Sequence, residues 1–288
     1  MTKLSGAIQK YVDSNMTLLP FLKWAGGKRW FVQKHADLLP HSFNRYIEPF
    51  LGGGSVFFHL KPAKSLLGDT NPDLIAAYHG IQENWKGVVR SLKSHDRNHS
   101  EAYYYSVRDR HPKKVVTRAA RMIYLNRTCF NGIYRVNLRG EFNVPRGSRD
   151  SVIFESDRFN EIAVLLANAE IRLSDFEALI DEAGKDDFIF ADPPYTVRHN
   201  LNGFVKYNET LFSWQDQERL AAALIRAQAR GASIVVTNAN HSSIRKLYRG
   251  KGFRIITTSR FSSISANSVH RRQYDELIIV SKLKRVAG

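Results

Sequence analysis

Two short apolar runs frame the start of this chain. Arg45-Tyr-Ile-Glu-Pro-Phe50 reads as a buried strand, followed by Gly52-Gly53-Gly54 and a helix start at Val56-Phe-Phe-His-Leu60. Ser65-Leu-Leu-Gly-Asp69 reads as a second strand and ends on an acid. Asn71-Pro72 then supplies a capping side chain and a proline suited to the first helical position. Leu74, Ile75, Tyr78 and Ile81 recur at helical spacing. Parallel strands must be joined by a crossover, usually a helix. The opening therefore predicts a parallel sheet covered by helices.

From about Trp85 to Phe159 that rhythm is lost. Val115, Ala119, Met122, Ile123 and Leu125 predict a helix that leads into a turn-like stretch, Asn126 to Tyr134. The β–α pattern resumes with Glu170–Leu173, Asp187–Ala191 and Ser233–Thr237. Between the last two, Ser213 stands three residues before Asp216, a capping-box spacing, ahead of Leu220, Leu224, Ile225 and Ala229. Phe253–Thr258 and Glu276–Ser281 are further strand candidates. The reading is one α/β sheet domain interrupted by a basic insertion.

Charge is the informative bulk property. The chain carries a net charge of +16, and eleven Lys or Arg lie between Arg108 and Arg149 against only Asp109 and Glu141. So concentrated a surplus favours a polyanion, because each neutralised phosphate releases condensed counterions. A solvated basic face is the plain alternative. No run of about 18 apolar residues is present, so no membrane span is expected. The polar start, Met1 to Asn15, lacks the apolar core of a signal peptide. A lone cysteine, Cys129, leaves no disulfide framework, and no histidine pair has metal-ligand spacing. A cytoplasmic protein without metal is the expectation.

In open parallel sheets, ligands bind beyond the carboxyl ends of the strands. Three segments stand there. The glycines after Phe50 let backbone approach a ligand at a helix N-terminus, though a tight turn needs them equally. Asp69 can accept hydrogen bonds from both hydroxyls of a ribose, or it can cap a helix. The third is Asp192-Pro193-Pro194-Tyr195. An exocyclic amine on an aromatic base is a poor nucleophile because its lone pair is delocalised into the ring. Two acceptors that hold its hydrogens bring the nitrogen toward tetrahedral geometry. Asp192 and the Pro193 carbonyl can be that pair, with Pro194 stiffening the turn. Tyr195 offers a face on which the base stacks. In a duplex the base must first be flipped out.

Four segments together resemble a known family. Phe21-Leu-Lys-Trp-Ala-Gly-Gly-Lys28, Glu48–Ser55, Asn137–Pro145 and Asp192–Tyr195 are similar, in order and spacing, to the DNA adenine-N6 methyltransferases of the Dam type. The resemblance runs from about Phe21 to about Lys282. It implies a Rossmann-like α/β sheet dependent on S-adenosylmethionine, with an inserted, mostly helical target-recognition domain. The catalytic domain would be 1–74 with 160–288, and the recognition domain 75–159. Trp24, Lys28, Phe50, Gly52, Gly54, Asp69, Asp175, Phe176 and Asp192 would contact the cofactor. From the residues alone, Trp24 reads as a core aromatic and Lys28 as a solvated charge.

The resemblance further implies that Phe130 enters the base stack, Arg135 reads guanine, and Asn131, Asn137, Arg139 and Pro145 meet double-stranded DNA at GATC. The protein would then be cytoplasmic and associated with the nucleoid, with any restriction partner a separate chain. Two departures stand out. Ser148-Arg149 lacks an aromatic common in the family, and Thr196–Asn202 carries Arg198 and His199. The tetrapeptide itself serves any exocyclic amine, so RNA and cytosine N4 remain alternatives at this level.

Overall fold

The computed structural model describes residues 18–137, 139–195, 212–261 and 273–281. They divide into two compact units. One is the sheet unit, built from Gly27–Gly52, Pro62–Ile75 and the chain from Ala169 onward. The other, predominantly helical, comprises the residues up to Gly26, Gly53–Lys61 and Ala76–Asn168.

The sheet unit holds seven strands: β1 (Tyr46–Glu48), β2 (Ser65–Asp69), β3 (Ala169–Leu173), β4 (Phe188–Ala191), β5 (Ser233–Ala239), β6 (Phe253–Phe261) and β7 (Gln273–Ser281). Their order is β3-β2-β1-β4-β5-β7-β6. The first five are parallel, and β7 lies antiparallel between β5 and β6. β4 is buried along its whole length, as expected of a parallel strand covered on both faces. Its residues alternate between the two sides. Phe188 packs on Tyr46, and Phe190 packs on Phe31 of the helix Arg29–His35. Ile189 and Ala191 join Leu179, Leu220 and Leu224 from the helices Phe176–Asp181 and Trp214–Ala229. Gly68 makes room for that packing, since a Cβ there would stand 2.1 Å from Leu179 Cδ1 and the Leu179 side chain would have to shift.

Local signals behave as the sequence predicts. The Asn71 Oδ1 accepts from the backbone N–H of Asp73 and of Leu74. Ser213 and Asp216 form a reciprocal capping box at the start of Trp214–Ala229. From Trp85 to Thr128, where periodicity fades, the chain is mostly helical, and the described residues from Cys129 to Arg158 are largely irregular. The helix Pro72–Asn98 kinks at Asn84, which takes a non-helical φ of −154°. Asn84 Oδ1 then accepts from Gly87 N, so it restarts the helix as a cap would.

In the helical unit, the helix Val115–Thr128 is the centre. Ala119 lies so close to Gly80 that a Cβ on Gly80 would come within 2.3 Å of it. Two of the eleven basic residues turn out to be internal. Arg121 donates to the carbonyls of Val107 and Arg108, closing the end of the helix Glu101–Arg108. Arg127, 5% exposed, forks onto both oxygens of Asp157 at 2.6 and 2.7 Å and donates to the carbonyls of Val152 and Phe21. These two arginines correct the reading of the whole run as a phosphate-facing surplus.

Breaking a buried, fork-on-fork pair leaves the partner charge unmatched. Arg127→Ala is expected to destabilise the chain by about 3–5 kcal/mol in urea or thermal unfolding. An unchanged unfolding midpoint would contradict this account of the helical unit.

Candidate active site at the switch point of the sheet

Strand order reverses between β1 and β4, and this is where open α/β sheets bind ligands. The loop after β1 carries Phe50 and Gly52; the turn after β4 is Asp192–Tyr195. Asp69 closes the next strand on one side, β2. The carboxyl ends of three neighbouring strands thus bring together most of the sequence-predicted residues of the sheet unit.

Asp192 follows β4 with its side chain 19% exposed. Its Oδ2 meets Lys28 Nζ at 2.6 Å, and its Oδ1 accepts from the Thr237 hydroxyl at 2.7 Å. Burial pushes its carboxyl above the usual carboxylate range, Lys28 and Thr237 pull it down, and the charge of Glu276 adds a further push upward. Each oxygen keeps acceptor capacity beyond these bonds. Pro193 is buried, and among the described residues none donates to its carbonyl. The turn is held from behind: Gln217, fully buried, takes a bond from Asn238 at 3.0 Å and approaches the Pro194 carbonyl at 3.4 Å. A rigid carboxylate and a neighbouring carbonyl therefore share one fixed turn.

Tyr195 completes it. Its hydroxyl donates to Glu276 Oε2 at 2.7 Å. The Lys28 ammonium stands 5.3 Å from the ring centroid, within cation–π range. Lys28 is 4% exposed, which corrects its plain reading as a solvated charge. The reason is Asp192: the residue before the helix Arg29–His35 is drawn inward by a carboxylate that sequence distance conceals.

Asp69 is gripped by backbone. Its Oδ2 accepts from Gly52 N at 3.1 Å and its Oδ1 from Asn71 N at 2.9 Å. Burial raises its proton affinity, and the N–H groups of Gly52, Asn71 and Thr70 oppose that. Gly52 sits at φ +47°, a conformation that costs a residue with a side chain 1–2 kcal/mol, on the order of the left-handed penalty. Phe50 stacks on Phe176 at 5.3 Å, and Phe176 is core, 3% exposed. Asp175 caps the helix Phe176–Asp181 through Glu177 N and pairs with Arg219 at 2.8 Å.

Trp24 and Gly54 belong to the helical unit. Gly54, at φ +65°, precedes the helix Ser55–Leu60. Trp24 is half-buried and stacks on Tyr134 at 5.5 Å, and its Cβ lies 3.4 Å from where a Cβ of Gly53 would be. Just before it, Lys23 exchanges backbone hydrogen bonds with the Asn126 side chain at 2.9 and 2.8 Å. The conspicuous surface feature of this unit is the turn after Thr128. Phe130 is 57% exposed, and Asn131, at φ +57°, is exposed beside it. Pro145 accepts from Phe130 N, and Arg135 rests on Asn143 at 3.2 Å with its guanidinium exposed. Asn137 ties its hairpin by accepting from the N–H of Arg139 and Glu141 and donating to the Glu141 side chain. Thr196–Asn202, the departing loop, and Leu138 lie outside the described residues.

Residues 24–264 match the family model for D12 class N6 adenine-specific DNA methyltransferases. The chain belongs to that family. This D12 methyltransferase is 33% identical to type II methyltransferase M1.LlaDCHI of Lactococcus lactis subsp. cremoris, over 93% of the chain and 97% of that protein. It is 33% identical to a DNA adenine methylase of Haemophilus influenzae, over 91% of the chain and 93% of that protein. A type II methyltransferase of Methanocaldococcus jannaschii, M.MjaIII, is also 33% identical, over 92% and 99%. The enzyme is an adenine-specific DNA methyltransferase with an α/β sheet, and S-adenosylmethionine is its methyl donor. No helix of the described residues is long and apolar enough to cross a membrane.

The residues at the switch point fit that donor. Asp69 and Asp192 are acids whose burial is incompletely offset, so hydroxyl or ammonium donors brought by a nucleoside and an amino acid would favour their ionised forms. When bound, the donor supplies a methyl group on a positively charged sulfur. Thr237, Glu276, Gln217 and Asn238 escape a reading of motifs. Their signal was present in another form: polar residues inside otherwise apolar strands or helix faces need partners.

Thr237→Val removes a donor to ionised Asp192 while keeping the shape of the side chain. The Asp192 carboxyl is then expected to titrate at higher pH than in the unmodified enzyme, followed by the ¹³C resonance of labelled carboxyls. A midpoint that stays put or falls would show that Thr237 does not support the charge.

Proposed function

We propose that the enzyme transfers methyl to the N6 of adenine within GATC in duplex DNA, with the target base flipped into the Asp192–Tyr195 turn. The observation that carries this reading is the Asp192 carboxylate, held by Lys28 and Thr237 at the end of β4 and followed at once by Pro193. In the proposed reaction the two acceptors hold the hydrogens of the amine. The nitrogen lone pair is thereby freed from the ring and aimed at the methyl group. As positive charge builds on the nitrogen, Asp192 stabilises it and takes the departing proton. Tyr195 stacks the base, a contact of about 1–3 kcal/mol. Base flipping follows from reach, since the amine cannot meet a carboxylate while stacked in a duplex.

For the cofactor we assign Asp69 to the ribose hydroxyls and Gly52 and Gly54 to close backbone approach. Trp24, Lys28, Phe50, Asp175 and Phe176 complete the set through resemblance to the Dam type. Asp175 and Phe176, engaged as cap and core, would act from the edge of that site.

The recognition domain, 75–159, is proposed to hold the duplex. Phe130 is an exposed aromatic at a turn tip, the chemistry of an intercalating wedge. Arg135, exposed and steadied by Asn143, suits a bidentate contact to guanine. Asn131, Asn137, Arg139 and Pro145 shape or extend that surface. GATC rests on the likeness of Phe130–Arg135 and Asn137–Pro145 to the Dam type.

Incubation with labelled S-adenosylmethionine and GATC-containing duplexes is expected to place label on adenine N6, and label on cytosine or none would contradict the reading. Asp192→Ala should lower transfer by more than about a hundredfold, in the range of a lost preorganised group, while gel-shift affinity for DNA holds. Arg135→Ala should cost about 1–3 kcal/mol of preference for guanine at its position. Equal losses on specific and random DNA would make Arg135 a backbone contact instead.

A further inference from the structure

We propose that Glu276 is a positioning residue for methyl transfer, setting the Tyr195 ring in its working plane by accepting the hydrogen bond of its hydroxyl. Glu276 is 1% exposed in β7, and Tyr195 Oη donates to its Oε2 at 2.7 Å. It lies opposite Ala239 of β5 and Thr258 of β6, and an apolar run, Leu277-Ile-Ile-Val280, follows it. A carboxylate in such a strand is costly to bury without strong partners. Its bond to Tyr195 is charge-assisted and therefore short and directional.

The geometry gives the bond a purpose. Two prolines precede Tyr195 and restrict the backbone, so the freedom left to the ring is in its own side-chain torsions. Fixing the hydroxyl at the far end removes most of that freedom. Lys28 Nζ, 5.3 Å from the centroid, is directed to a face of the ring. Aromatic stacking depends on plane and offset, so a tilted ring would misplace the amine relative to Asp192. The charge of Glu276 also reaches Asp192, which it biases toward the protonated acid. Glu276 and Asp192 thus bear on the same small space from β7 and β4.

The inference rests on reading Asp192–Tyr195 as the adenine pocket, and the experiment separates the two. Single-turnover methylation of adenine would be measured with the full chain at saturating S-adenosylmethionine and duplex, the product nucleoside being identified each time. Glu276→Ala and Tyr195→Phe should each slow the step by roughly 10- to 100-fold, the scale of a misplaced reacting group. Affinities for S-adenosylmethionine and DNA should change little. The double variant should be no slower than the slower single one, because both break one bond. Glu276→Gln, which keeps an acceptor, should recover most of the rate.

Additive losses would overturn the proposal. So would a wild-type rate in Glu276→Ala with only a lowered melting temperature, or a Gln variant no better than Ala. Should Glu276→Ala fail to fold, Tyr195→Phe decides: an unchanged rate there refutes positioning through the hydroxyl. If the unmodified enzyme leaves adenine unlabelled, the pocket reading itself falls, a result distinct from all of these.

Discussion

Lys28 and Asp192 form an ion pair of 2.6 Å in a setting where neither charge has much water. Burying such a pair is seldom the cheapest way to stabilise a protein, since desolvation offsets most of the attraction. Its presence at the end of β4 makes sense if an ionised carboxylate is needed there. Asp192 is pushed toward its neutral form by burial and held back by Lys28 and Thr237. Lys28 and Thr237 thus favour the ionised acceptor in a place that solvent screens little, where a hydrogen bond to it counts for more. The adjacent turn, the stacked Phe50 and the grip on Asp69 are arranged about the same end of the sheet.

The sheet supplies that end through its order. With β1 and β4 adjacent and their crossovers leaving in opposite directions, the loops that follow part and leave room for a ligand. β7, antiparallel between β5 and β6, brings an acid to the same neighbourhood from the other chain direction. The helical unit has a different economy. Arg121 and Arg127 are turned inward to close helix ends and bind Asp157, and exposed Phe130, Arg135 and Arg139 remain on the surface. Total charge alone does not separate these uses; burial does.

Much of the sheet was legible because its signals are local. Ser65–Asp69 is bounded as read, Asn71 caps its helix, and Ser213 with Asp216 forms the box that their spacing announces. The helical segments between Trp85 and Phe159 were harder, because a kink at Asn84 breaks periodicity and because buried arginines mimic surface ones. At the site, Asp192–Tyr195 was legible as chemistry, since carboxylate, proline and aromatic are contiguous. Thr237 and Glu276 were not, and Lys28 was legible only through resemblance, as each gains meaning from a partner 45 to 164 positions away. A tertiary contact decides what each charge is for, and spacing along the chain does not encode it.

We propose that the acceptor pair of the sheet unit, Asp192 with the Pro193 carbonyl, confines methylation to a single class of amine, and that the separate recognition domain chooses the DNA sequence. Sequencing modified bases in DNA from cells that express the protein tests this most directly, because base, position and context are returned together. N6-methyladenine concentrated at GATC on both strands is the expected result. Methylation of cytosine, or of adenine without regard to flanking sequence, would contradict it.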